Sequence, residues 1–136
     1  MTDNNGVFFS ATDADSEGEE GKFFVWTLEE IREAAGEDGP FVIDHYGATD
    51  AGNFDGVNIL FVPVSPENRA LTVEAEVNEY LERLGRATER MRVYREQREH
   101  PFLDRKIISA WNALMITTLS EASQITGDVR LSLIHI

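Results

Sequence analysis

The stretch "TVEAEVNEYLERLGRATERMRVYREQREHP" (residues 72–101) decides the fold class. Val73, Val77, Leu81, Leu84, Ala87, Met91 and Tyr94 step through it by threes and fours, and no proline intervenes before Pro101. That spacing lines apolar side chains along one face of a 3.6-residue helix, so a long amphipathic helix is predicted. Glu82 and Arg86 stand four apart in the favourable order, worth about 0.2–0.5 kcal/mol on an exposed helix. Arg83, Arg86, Arg90, Arg92, Arg95 and Arg98 make the segment basic, interrupted by Glu82, Glu89 and Glu96. This reads as a solvated face or one that pairs with acids elsewhere in the protein.

Downstream, Ile107, Ile108, Trp111, Leu114, Met115, Leu119 and Ala122 repeat the helical spacing over Ser109–Thr126, closed by Gly127, with Asp104 as the expected N-cap. Few residues join the two helices, so residues 72–126 are expected to form an antiparallel helical hairpin. Upstream, Thr27 and Glu30 make a capping box ahead of Leu28, Ile31 and Ala35, and "PFVIDHYG" (40–47) is a second short helix with Gly47 as its left-handed cap. "ATDAGNFDGVNILFVP" (48–63) reads as a structured loop leading into an extended segment stopped by Pro63. Residues 27–63 are therefore short helices and a loop. Over residues 1–26, Val7–Phe9 and Phe23–Trp26 are two β-favouring runs flanking "DADSEGEEG" (13–21), which predicts a small β-hairpin carrying an acidic loop.

In 136 residues, 25 acidic against 12 basic side chains give −13, which opposes attraction to nucleic acid or anionic lipid. No apolar run approaches the roughly 20 residues of a membrane helix, and the N-terminus lacks a secretory signal. The expectation is a cytoplasmic, soluble chain with neither nucleic acid nor membrane as partner. There is no cysteine, so thiolate metal sites and thiol catalysis are excluded within these residues. "LSLIHI" (131–136) resembles the translation of a transposon end used in sequencing libraries, and it is set aside as an adaptor scar.

The acidic loop fails as a calcium hand. With Asp13 at position 1, the bidentate glutamate of position 12 is replaced by Phe24, and the flanks read as strands where that motif needs helices. No metal or cofactor is assigned, although a loose divalent-cation loop stands as a further alternative. Asp13 and Asp15 could divide acid and base roles if folding placed them in unlike environments, or they could be an exposed turn. His45, beside Tyr46, reads as a packed histidine. "PFLDRKIISAWNALM" (101–115) sets Trp111 and Asn112 where a simple bundle prefers aliphatics, so Asn112 either bonds neighbouring backbone or faces a cavity.

Three blocks, "GVFFSATDADSEGEEGKFFVWT" (6–27), "YGATDAGNFDGVNIL" (46–60) and "REQREHPFLDRKIISAWNALM" (95–115), resemble in order and spacing the YyaL-like, spermatogenesis-associated thioredoxin-domain-containing proteins. Arg105, at a position often acidic there, and Ala113, at one often glycine, depart from the pattern. The resemblance implies a thioredoxin-like domain followed by a helical region similar to the (α/α)6 toroids of N-acylglucosamine 2-epimerases and six-hairpin glycosidases. Residues 1–130 then correspond to an early part of that toroid, without the thioredoxin-like domain. The implied fold is mainly α with a small β-hairpin, a partial toroid.

Under that resemblance the chain is a piece of a carbohydrate-processing or epimerase-like protein, inactive alone, with a sugar-like small molecule and the parent's thioredoxin-like domain as partners. The catalytic candidates are Asp13, Asp15, Glu17, Asp104 and Lys106. The substrate-binding candidates are Trp26, Asn53, Trp111 and Asn112. The alternative is a non-catalytic toroid that scaffolds or regulates the thioredoxin-like domain, with the acidic loop as a structural turn.

Overall fold

The structure, a computed structural model, describes residues 2–4 and 6–133. In chain order the described residues form β1 (Ala11–Thr12), β2 (Asp15–Ser16), β3 (Glu19–Glu20), α1 (Leu28–Ala35), a 3-10 turn (Gly36–Asp38), α2 (Gly39–Tyr46), α3 (Pro66–Thr72), α4 (Val77–Arg95), β4 (Leu103–Asp104), α5 (Ser109–Thr126) and α6 (Arg130–Leu133). The fold is mainly α with a small β part. None of the described helices is long and apolar enough to cross a membrane. Residues 134–136 of the adaptor-like tail lie outside the described residues.

Residues 16–100 make one compact unit. The capping box forms as expected: Thr27 Oγ1 accepts from the Glu30 amide at 3.1 Å, and Glu30 Oε2 accepts from the Thr27 amide at 2.8 Å. That satisfies two otherwise orphaned donors and fixes where α1 begins. Ile31, Ala34 and Ala35 then face a core shared with Trp26, Val42 of α2, and Ala87 and Met91 of α4. Gly47 ends α2 in the left-handed region, as its sequence position predicts. Asn58 is 2% exposed and ties loop to core, accepting from the Thr49 amide at 2.9 Å and donating to the Trp26 carbonyl at 3.2 Å.

The long helix starts at Val77, not near residue 72. Ser65 caps an additional helix, α3, with Pro66 in its first turn, and Glu74 takes a positive φ of 55° between the two helices. A left-handed residue cannot continue a right-handed helix, so Val73 ends α3 instead of opening α4. The strand expectation is also corrected. Residues 21–24 form a turn, Trp26 makes only an isolated bridge to Asn58, and the hairpin lies inside the acidic loop, where β2 and β3 join through Glu17 and Gly18. Both have positive φ, 53° and 78°, as the mirror-image two-residue turns of tight hairpins require.

Residues up to Asp15 and from Pro101 onward form the other unit. β1 pairs antiparallel with β4, Ala11 opposite Asp104 and Thr12 opposite Leu103. Asp104 therefore lies in a strand and is not the N-cap of α5; that position falls to Ile108, which has no side-chain cap bond.

Candidate functional site

Within residues 16–100, the hairpin β2–β3, the turn over residues 21–25, the start of α1 and the loop over 54–57 enclose an open pocket of about 650 Å³. One side chain organises its floor. The Arg98 guanidinium donates to the carbonyls of Phe23 at 2.9 Å and Val25 at 2.7 Å through Nη1, and to Glu30 Oε1 at 3.0 Å through Nη2. Its carbon centre lies 4.4 Å from the Trp26 ring centroid, a cation–π distance. Because Glu30 also belongs to the capping box, the turn and the helix start are held by a single connected set of charge-assisted bonds. Ser16, 4% exposed, donates to the Glu99 carbonyl at 2.5 Å and anchors the hairpin to the same place.

The pocket wall is acidic. Glu17, Glu19, Glu20, Glu30 and Asp55 face Lys22 and Arg98. Lys22 pairs with Glu19 at 2.9 Å and Glu17 at 3.4 Å; the Glu19 hydrogen bond, opposed by slight desolvation and reinforced by Glu17, raises the ammonium pKa above its ordinary value. The carboxylates of Glu20 and Asp55 have no hydrogen-bond or ion-pair partner among the described residues. Phe54, 38% exposed, supplies an apolar surface beside them. Such a wall offers acceptors to hydroxyl or ammonium donors and a ring face to an apolar patch.

Of the sequence candidates, Glu17 alone among the described residues lines this pocket. Asp13 accepts the Asp15 amide at 3.3 Å in a local turn, and both acids are exposed. Asp104 pairs with Lys106 at 2.9 Å; the Lys106 side chain and then its amide hold the Asp104 carboxyl below its ordinary pKa. Trp26 is corrected: at 3% exposure it is a core residue, and a ring packed on Arg98 and Tyr94 presents no face for stacking. Asn53 accepts from the Ile59 amide at 2.8 Å and donates to its carbonyl at 3.0 Å, closing the loop. Asn112 does the same for Phe8, at 2.9 and 3.0 Å, and it also lines a pocket beside Trp111. Trp111, 53% exposed, lines a different, apolar pocket of about 370 Å³ with Phe8, Phe9 and Leu114.

Sequence reasoning missed Glu20, Asp55 and Arg98. The signal for Asp55 was its place between Gly52 and Gly56, a loop tip; the signal for Arg98 was its place past Tyr94, the last apolar position of the amphipathic pattern. His45 is a packed histidine, 2% exposed, with Nδ1 2.9 Å from the Tyr80 hydroxyl; burial, and then Arg69, lower its pKa against a smaller opposing effect of Asp44. Among the described residues no group of three or more His, Asp or Glu could hold a metal ion.

No profile of a known protein family matches the chain. It is 31% identical to human spermatogenesis-associated protein 20 over 96% of its own length, and 29% identical to the mouse protein of the same name over the same share. An uncharacterized protein of Caenorhabditis elegans is 29% identical over 96% of the chain. The chain spans about 20% of the length of the two mammalian proteins and 21% of the worm protein. Both mammalian relatives are spermatogenesis-associated proteins 20, the group that the three sequence blocks resemble, and this chain is similar to about a fifth of each.

Proposed function

We propose that this chain is part of a larger helical protein in which the acidic pocket receives a sugar-like, polyhydroxylated small molecule. In this reading the chain contributes an early part of an (α/α)6, epimerase-like or six-hairpin glycosidase-like toroid, joined in the parent to a thioredoxin-like domain in a cytoplasmic setting. The observation that carries it is the pair of unpartnered carboxylates, Glu20 and Asp55, on a pocket of about 650 Å³ beside the partly exposed ring of Phe54. Sugar hydroxyls donate to carboxylates, while the C–H face of the ring rests against an aromatic side chain. Glu20, Asp55 and Glu17 then take the place expected of Asp13, Asp15 and Asp104. Lys22 and Arg98 hold the neighbouring carboxylates of Glu19 and Glu30 in position.

The test is calorimetric titration of the protein from the full reading frame with neutral and N-acetylated monosaccharides. A binding heat that Glu20→Gln and Asp55→Asn each weaken about tenfold or more, the loss of a charged hydrogen bond, is expected. No heat with any sugar, or heat indifferent to both substitutions, overturns the reading.

A second reading, a non-catalytic toroid that positions the thioredoxin-like domain, is favoured by one specific observation. Asn53, Asn112, Asp13 and Asp104 bond to backbone or to a close neighbour in the chain. Under it, removing Glu20 and Asp55 leaves the parent's behaviour unchanged, whereas Asn53→Ala loosens the loop.

A further inference from the structure

α5 carries an exposed apolar face, although half of its residues are polar. Between Ser109 and Thr126 it carries one charged residue, Glu121, and none of its residues is buried. A contiguous exposed apolar face marks a surface that is covered in a larger protein or assembly, and no described helix is long and apolar enough to cross a membrane. Trp111, Leu114, Thr118 and Ile125 fall at i, i+3, i+7 and i+14, all exposed, with Glu121 at the intervening i+10 on the edge, and so make a largely apolar seam about 21 Å long. At its N-terminal end Phe8 and Phe9 rise beside Trp111 and Leu114 to form the apolar pocket of about 370 Å³. Asn112 fixes that wall by bonding the Phe8 backbone on both sides.

We infer that this seam seats a second amphipathic helix of the same, longer polypeptide, with one large apolar side chain filling the Phe8–Trp111 pocket. The spacing of the seam matches knobs-into-holes packing against a helix better than it matches a strand or a flat surface. The source follows from length and area. The chain spans only about 20% of its human relative, so most of such a polypeptide lies outside it. A seam about 21 Å long and one helix wide (~10 Å) offers roughly 200 Å², well short of the ~800 Å² per partner of a stable complex between separate molecules. A covalently linked helix does not lose translational freedom on docking, so a small seam suffices. This inference rests on the reading of the chain as part of a larger helical protein, and not on the sugar site.

Hydroxyl-radical footprinting of the wild-type 136-residue chain and of the protein from the full reading frame tests it, with buried Trp26 as the internal reference. Expected is strong labelling of Trp111 and Leu114 in the short chain and, in the longer protein, labelling of Trp111 reduced to the level of Trp26. Equal labelling in both proteins overturns the inference. So does protection already present in the short chain: if it grows with concentration a second copy is the occupant, and if it does not the chain covers itself.

Discussion

Helices α2 and α5 have the same local punctuation. Each starts without a side-chain cap bond and ends on a left-handed glycine, Gly47 or Gly127. Yet α2 buries Gly39, Val42 and His45 within eight residues, whereas α5 buries nothing in eighteen. Caps set where a helix stops; they do not set how much of it packs. The surroundings of α2 hold several ionic and polar cross-links across sequence, against the Asn112–Phe8 pair at α5. Asp38 meets Arg83 at 2.7 Å and Arg90 at 2.5 Å, Arg90 also donates to the Ala35 carbonyl at 2.9 Å, and His45 meets Tyr80.

The largest effect should therefore come from the core around α1 and α2. Ile31 is fully buried, and Ile31→Ala removes three carbons and leaves a cavity, for a loss of about 2–4 kcal/mol in urea unfolding. A loss under about 1 kcal/mol would put residues 16–100 in the same loosely packed class as α5 and end the contrast.

Next is the loop that carries Asp55. Gly52 has φ +70°, and a Cβ there would lie 2.6 Å from the Val57 nitrogen and closer still to its carbonyl oxygen. Gly52→Ala adds a clash to a conformation L-residues avoid, so about 2–3 kcal/mol is expected, together with weaker protection of the Asn53 and Ile59 amides in hydrogen exchange. Unchanged exchange would show that the loop does not depend on this close approach.

The Asp38 cluster comes third. Burial alone would raise the Asp38 pKa, but hydrogen bonds from Arg83 and Arg90 and their charges together outweigh it and hold the carboxyl below its ordinary value of 3.8. A depressed folded-state pKa means the unfolded chain binds its proton first. The stabilisation is thus whole above about pH 4 and is lost as pH falls through the folded-state value. Asp38→Asn should cost about 1–2 kcal/mol at neutral pH, below the full figure for a buried pair because both arginines can turn to water. It should also flatten the acid limb of stability against pH; a variant with the wild-type acid limb would remove Asp38 from that role.

How much of this was legible in the sequence follows the range of the interactions. The capping box at Thr27 and Glu30 and the glycine stop at Gly47 act over three or four residues, and both were readable. Glu74 turning left-handed was not, because nothing in its neighbours demands it, so the apolar spacing starts the long helix too early, at the end of α3, and α3 itself goes unread. The acidic loop was visible as composition, but its pairing through Glu17 and Gly18 required knowing that Phe23 packs inward at 5% exposure instead of lying in a strand. Trp26 and Asn53 looked like ligand contacts because tryptophan and asparagine serve that purpose; the structure spends them on Arg98 and on the Ile59 backbone. Pocket residues Glu20 and Asp55 are brought together across 35 positions, a distance no local pattern encodes.

The smallest expected effect is the most discriminating. Leu114 is 67% exposed, so in the 136-residue chain Leu114→Ala removes little buried area and gives α5 a better helix former; stability should change by less than about 0.5 kcal/mol. Ile31→Ala is a truncation of the same size, so the difference between the two measures burial with side-chain chemistry nearly constant. If the seam is covered in the longer protein, the same Leu114→Ala there should cost about 2–4 kcal/mol, because the identical deletion now opens a cavity. A value near zero in both proteins would mean that α5 keeps its apolar face in water, which the hydrophobic free energy of its own side chains argues against.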